Sequence, residues 1–169
     1  MKKFLISVLS ALLVLSLTVP AFAADPALIG IPDDGTNLSR GIKLLEAAGL
    51  LKVDPAAGYT PEVADITEYL YNIEVVPVTA NTLASTLDDY AASTINGTYA
   101  IPYGLVPSKD GLIIEKQDES GENPYVNIIA AREEDKDNPT YKKFVQIFQS
   151  QPVKDYILEN CKGNLEPAW

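Results

Sequence analysis

The sequence predicts an α/β fold: a mainly parallel sheet with helices on both faces. Three observations lead there. Between residues 27 and 115, short apolar runs rich in β-formers alternate with amphipathic stretches, the pattern of repeated βα units. The joints between them carry proline, glycine and Asx turn signals. The chain has 169 residues, which is room for one ordinary domain or one small two-lobed body.

Along the chain, Ala27-Leu28-Ile29-Gly30-Ile31-Pro32 is first, an apolar strand ended by proline. Asp33-Asp34-Gly35 is a turn, after which Thr36 is expected to cap a helix over 36–50. Its apolar face is Leu38, Ile42, Leu45 and Ala48, and Gly49 suits the C-terminal cap. Residues 51–61 hold two prolines and a glycine and read as a loop, and 61–70 as a short helix or turn. Residues 72–78 form a strand through Ile73-Glu74-Val75-Val76, and 79–87 a second helix with Leu83 and Leu87 four apart. A short strand over 91–95 leads to Asn96-Gly97, and 99–105 is a short helical or irregular stretch around Pro102. Residues 111–115 read as a strand, 116–124 as a polar connection, and 125–132 as a strong strand. A charged turn over 133–138 precedes two closing helices, 139–150 and 152–161, each with a proline near its start.

Composition removes several function classes. Thirteen Lys+Arg against 23 Asp+Glu give a net charge of −10, which argues against nucleic acid as a partner. The chain has no His, so Ser-His-Asp and Cys-His catalysis and His-based metal sites are absent. Its one cysteine, Cys161, cannot form an internal disulfide and reads as a half-buried small residue near a helix end. No phosphate-binding glycine loop, nucleophile elbow or metal-ligand cluster is present, and no cofactor is implied. Asp88-Asp89 is a solvated helix end, because adjacent residues point to different faces. The run Glu133-Glu134-Asp135-Lys136-Asp137 lacks the spaced oxygens and glycine of a calcium loop and reads as a solvated turn. The pattern favours binding over catalysis.

Residues 1–23 have the form of a cleaved signal peptide. Lys2 and Lys3 precede an apolar run from Phe4 to Val19, Pro20 breaks it, and Ala21-Phe22-Ala23 is a small-x-small cleavage site. As a membrane anchor the run is slightly short and diluted by Ser7, Ser10, Ser16 and Thr18. Cleavage removes two lysines and leaves an exported, still more acidic chain.

In an open α/β sheet, ligands bind beyond the carboxyl ends of the strands. Three turns there carry suitable groups. The first, 33–40, places Thr36, Asn37 and Arg40 at a helix N-terminus, a setting suited to a carboxylate. The competing reading makes Thr36 a plain cap and Arg40 a surface residue, and spacing does not choose. At the second, Ile95-Asn96-Gly97-Thr98-Tyr99, Asn96 either caps the next helix or offers its amide to a ligand; spacing favours the cap. At the third, Asn123-Pro124-Tyr125-Val126-Asn127, Asn127 interrupts an apolar run. It is either satisfied by nearby backbone or faces a ligand.

These turns, with segments between them, carry a resemblance. The residues are Ile31-Pro32-Asp33-Asp34-Gly35-Thr36-Asn37-Leu38-Ser39-Arg40, then Leu44-Leu45-Glu46-Ala47-Ala48-Gly49-Leu50-Leu51-Lys52 and Leu87-Asp88-Asp89. Ile95-Asn96-Gly97-Thr98-Tyr99-Ala100 and Pro107-Ser108-Lys109-Asp110-Gly111 come next. Asn123-Pro124-Tyr125-Val126-Asn127-Ile128-Ile129, Arg132 to Asp137, and the ending Pro167-Ala168-Trp169 complete the set. In this order and spacing they resemble the MetQ/NlpA family of substrate-binding lipoproteins, the methionine-binding components of ABC importers. The resemblance covers essentially all of 27–169 and rests on the ordered set, since no single motif is decisive.

It implies a type II periplasmic-binding-protein body, in which two α/β lobes close on a ligand. It implies that Arg40 grips an amino-acid carboxylate while Asn96 and Asn127 hold the ligand's polar groups, with L-methionine or a similar amino acid as ligand and ABC permease subunits as possible partners. The expected organisation is a signal peptide over 1–23, a complete lobe II over 24–120, and the crossover strand and C-terminal helices of an incomplete lobe I over 121–169.

The departures from the family pattern shape the expectation. The segment that builds most of lobe I, with its aromatic and His-containing stretch, has no counterpart between the signal and Ala27. Ala21-Phe22-Ala23-Ala24 has no lipobox cysteine, so no lipid anchor is expected. Asp33, Gly35 and Ser39 stand where Asn, Pro and Gly are usual, and an acid beside a carboxylate site weakens an anionic ligand. Thr79 takes the place of an acidic residue. Without most of lobe I, methionine binding is expected to be weak or lost, and strand 125–132 to repack or expose its edges. The two functions that remain are a solute-binding component of an amino-acid importer, in truncated form, and an exported scaffold or interaction module with a non-competent ligand site.

Overall fold

In the computed structural model, residues 24–116 and 124–169 are described. The expected signal over 1–23, Asn123 and most of the polar connection lie outside the described residues.

Strand β1 (Ala27–Pro32) is the middle of a three-stranded sheet of order β4-β1-β5. β4 (Ile73–Val78) runs parallel to β1 with Ile29 opposite Val75 and Pro32 opposite Val78. β5 (Ala92–Ser93) is parallel on the other side, with Gly30 opposite Ser93. Pro77 sits in β4 at the edge of this sheet, where a missing N–H costs no central ladder bond.

Helix α1 (Gly35–Ala47) returns across one face of the sheet and buries Ile42 and Leu45 against Ile29, Ile31 and Val75. Ile31 and Ile42 are wholly inaccessible to solvent, each worth about 1.5–3 kcal/mol of apolar burial. The opposite face, at Gly30, is met by Leu83 and Tyr90. The helix ends as Gly49 suggested. Gly49 has φ 73°, its N–H donates to the Glu46 carbonyl and that of Leu50 to the Leu45 carbonyl. These two bonds close the last turn in a Schellman arrangement.

Several expected elements differ. The helix starts at Gly35 and its cap is Asp34, not Thr36. Residues 51–70 are not loop and helix: β2 (Leu51–Val53) and β3 (Ile66–Tyr69) pair antiparallel, with Lys52 and Glu68 joined across the pair at 2.6 Å. The buried-exposed-buried order of Leu51, Lys52 and Val53 is strand periodicity, masked in the sequence by the prolines after it. Residues 79–87 are successive turns rather than a helix. The hydroxyls of Thr82, Ser85 and Thr86 donate to the carbonyls of Thr79 and Thr82, and such local bonds compete with helical ones.

Beyond β5 come two short helices, α2 (Gly97–Ala100) and α3 (Pro107–Asp110). Neither 111–115 nor 125–132 forms a strand. Both are without regular structure, and Leu112 and Ile128 are 92% and 81% exposed. A β-rich run needs a neighbour to complete its ladder, and none is placed beside either run among the described residues. The closing helices α4 (Pro139–Phe148) and α5 (Gln151–Cys161) are present near the expected limits.

Candidate functional site

The carboxyl ends of the parallel strands gather the polar groups. β1 leads through Asp33 and Asp34 into α1, β4 leads into Thr79, and β5 leads through Thr94 to Asn96. Thr79 donates its hydroxyl hydrogen to Asp33 Oδ2 at 3.2 Å, tying the first two ends together.

Asp34 does more than cap. Its Oδ1 accepts from the backbone N–H of Asn37 at 3.3 Å and from Asn37 Nδ2 at 2.9 Å. With the amide nitrogen held there, Asn37 Oδ1 faces the other way. It accepts from Asn96 Nδ2 at 2.8 Å and from Arg40 Nη1 at 3.3 Å. Residues 59 apart in sequence are thus joined through one amide oxygen.

Arg40, one helical turn beyond Asn37, carries the positive charge of the cluster. Its Nη2 and Nε donate to the two carboxylate oxygens of Glu115, at 2.5 and 3.2 Å, in the two-bond arrangement that arginine forms with carboxylates. The guanidinium lies 5.0 Å from the Tyr125 ring centre, within cation–π range. Tyr125 in turn donates its hydroxyl hydrogen to the Tyr59 carbonyl at 3.2 Å. The hydrogen bond to Glu115 raises the Arg40 pKa, partly opposed by burial. Burial, followed by the Glu115 charge, raises that of Tyr125, while Arg40 opposes.

Asn96 occupies the N-cap position of α2 but makes no side-chain cap bond. Its amide is committed to Asn37 instead, and its Oδ1 is buried with no hydrogen-bond partner. Ser93 Oγ and Thr94 Oγ1, on and just after β5, are in the same condition. An unpaired buried acceptor costs about 1–3 kcal/mol, so a donor brought to Asn96 Oδ1 recovers what folding leaves unmet.

Of the residues singled out by sequence, the fold brings Arg40, Asn37 and Asn96 together. Thr36 is exposed on the first turn and Asp34 takes its capping role. Asn127 is exposed, and no hydrogen bond or ion pair joins it to the cluster among the described residues. Glu115, Tyr125 as an aromatic platform and Asp34 as the cap are added by the fold. Asp34 stands three residues before Asn37, the spacing of an N-cap to its N3 position, which is a local signal. Glu115 lies 75 residues from Arg40 and carries no such signal.

Two surface hollows lie elsewhere, one along α4 at Pro139, Thr140, Lys143, Phe144 and Ile147, the other between Ile101, Leu105, Cys161 and Asn164. Among the described residues, no group of three or more Cys, Asp or Glu side chains is placed to hold a metal ion. No described helix is long and apolar enough to cross a membrane.

Comparison with known proteins places this cluster in context. Residues 22–169 match the model of the NlpA lipoprotein family. The D-methionine-binding lipoprotein MetQ of Yersinia pestis is 41% identical over 143 residues, which are 83% of this chain and 51% of that protein. Its counterpart in Escherichia coli (strain K12) is 39% identical over 147 residues, 86% of this chain and 53% of that one. Among solved structures, the methionine-binding protein MetQ superposes with a TM-score of 0.75 at 38% identity, over 86% of this chain and 58% of its own. A nutrient-binding protein from Burkholderia cenocepacia bound to methionine gives 0.76 at 33% identity, over 86% and 60%. The chain spans about half the length of the curated relatives it matches.

Proposed function

The chain belongs to the NlpA lipoprotein family, and from that premise we propose that it is an exported substrate-binding component of an ABC-type importer, taking methionine or a similar amino acid. Its role is binding rather than catalysis. The observation that carries this reading is the Arg40–Asn37–Asn96 cluster at the carboxyl ends of the parallel strands. A zwitterion needs a cationic donor for its carboxylate and neutral acceptors for its ammonium. Arg40 supplies the first, and the unpartnered Asn96 Oδ1 supplies one of the second. Asn127 is proposed as a further ligand amide, brought in when the exposed segment that carries it folds over the site.

The organisation we propose is a signal over 1–23, a lobe over 24–120 that holds Arg40 and Asn96, and a C-terminal portion over 121–169 that belongs to a second lobe. The matched segment is about half the length of each relative, which supports that division. The Arg40 side chain is 30% exposed, whereas tight small-molecule sites bury most of their ligand. Affinity in this chain alone is therefore weak, with a Kd on the order of 1 mM.

Titration calorimetry with L- and D-methionine tests the reading. Millimolar binding that Arg40→Ala abolishes is the expected result. Binding that survives Arg40→Ala removes the cluster from the proposal, and submicromolar binding removes the claim that the exposure of the site limits affinity. A second reading, an exported scaffold or interaction module with a non-competent site, is favoured by the apolar residues left exposed on α4 and α5, among them Phe144, Ile147 and Leu158. Absence of any binding supports it.

A further inference from the structure

We propose that Glu115 is a counter-ion that changes partners when the site fills, and that it thereby selects zwitterionic α-amino acids over simple carboxylates. The proposal rests on the amino-acid reading above and adds to it a residue that determines specificity.

The geometry of the free site carries the idea. Glu115 holds Arg40 through Nη2 and Nε at 2.5 and 3.2 Å. This is the edge that a free carboxylate grips with two parallel bonds. The remaining terminal nitrogen, Nη1, is turned to Asn37 Oδ1. The arginine is thus occupied from within, by a carboxylate of the same chain. A ligand carboxylate that takes the Nε–Nη2 edge must displace Glu115.

The fate of the displaced Glu115 depends on the ligand. A simple carboxylate forms one ion pair for the one it breaks and leaves Glu115 without its arginine. An α-amino acid carries its ammonium one carbon from its carboxylate. Gripped at Arg40, it presents that ammonium beside the displaced Glu115. One ion pair is then exchanged for two. The side chains of Arg40 and Glu115 are 30% and 37% exposed, so the exchange needs only side-chain rotation, without opening the core.

The test compares L-methionine with its des-amino analogue, the same molecule without the ammonium group. Both are titrated into the wild-type chain and the Glu115→Gln variant, with the Arg40 Nε–H resonance as the NMR readout. Competition for Arg40 affects both ligands and cancels in their ratio, which isolates the ammonium. The expected result is a wild-type preference for L-methionine of about tenfold or more. In Glu115→Gln that preference falls to near unity while the analogue binds more tightly than it does to wild type. Glu115→Asp, which keeps the charge, retains the preference.

Three results overturn the proposal. One is an unchanged preference in Glu115→Gln. Another is parallel loss of both ligands in that variant, which makes Glu115 a residue that positions Arg40. The third is an Arg40 Nε–H resonance identical in the two free proteins, which shows that no internal pair exists. The amino-acid reading fails separately: it falls if wild type takes neither ligand while Glu115→Gln takes the analogue, a result in which Glu115 still excludes simple carboxylates. If neither protein takes either ligand, both readings fall.

Discussion

At the residue scale, the chain uses one acceptor for several purposes. Asp34 caps α1, and in doing so sets the direction of the Asn37 amide and hence the partner of Asn96. Glu46, on the last turn of α1, accepts from Lys43 Nζ at 2.9 Å and from the Val53 N–H at 3.1 Å, tying α1 to β2. The hydrogen bond from Lys43 is the main cause that lowers the Glu46 pKa below its usual 4.5, with the Val53 N–H adding to it and burial opposing. A carboxylate whose pKa is lower in the folded chain contributes stability above the unfolded value and loses it as pH falls through the folded one. Glu46→Gln is therefore expected to lower stability at pH 7 by about 0.3–0.5 kcal/mol, the range of ion pairs one turn apart on a helix. The difference begins to fall near the usual pKa of 4.5 and is gone only below the lowered folded value. Urea unfolding of both proteins at neutral and acid pH checks this, and an equal difference at both pH values contradicts it. At this scale the sequence was partly legible. Arg40, Asn37 and Asn96 are visible in it because polar groups at strand ends stand out against apolar runs. Glu115 is not, because its role lies only in what it meets.

At the scale of elements, local chemistry decided where the pattern was ambiguous. Leu83 and Leu87 suggested a helix, but hydroxyls of Thr82, Ser85 and Thr86 took the nearby carbonyls and left turns. The prolines hid a β2–β3 pair that Leu51, Lys52 and Val53 encode by alternation. The junction of α2 with the C-terminal tail depends on a missing side chain. A Cβ on Gly97 lies 2.1 Å from the Asn164 carbonyl oxygen, too close for any real contact. Asn164 also donates from Nδ2 to the Leu105 carbonyl at 2.9 Å, so backbone and side chain fasten the tail together. Gly97→Ala is expected to push the tail off α2 and lower stability by about 1–3 kcal/mol, as overpacking does. Thermal unfolding measures the loss. Faster proteolysis after Cys161 locates it, and an unaltered cleavage rate argues against a displaced tail.

At the scale of the molecule, the core lies at one end of the chain. The buried cluster is Ile29, Ile31, Ile42, Leu45, Leu51, Val53 and Val75, and the last buried hydrophobic among the described residues is Ala100. Beyond it, Val126, Ile128 and Ile129, and Tyr141, Phe144, Ile147 and Phe148 on α4, remain exposed. Phe148 packs on Trp169 with ring centres 5.7 Å apart, a contact within the C-terminal part itself. Local stability tracks buried contacts and closed hydrogen bonds. Amide exchange is therefore expected to be slow in β1 and β4 and fast across 124–138, and equal protection in the two regions contradicts this. The exposed apolar faces are expected to bind a hydrophobic dye such as ANS in the native chain. Absence of dye binding shows that these faces are covered in solution.

The sequence by itself determined β1, α1, β4 and the closing helices, because periodicity, caps and turn residues act between neighbours in the chain. It also determined the family, through an ordered set of short segments, and the candidate trio at the strand ends. Only the tertiary structure decided that Glu115 fills the grip of Arg40 from 75 residues away, that Asn96 binds Asn37 instead of capping its own helix, and that 125–132 forms no strand. These outcomes turn on which groups meet across long stretches of chain, and a strand or an ion pair exists only when its partner is in place.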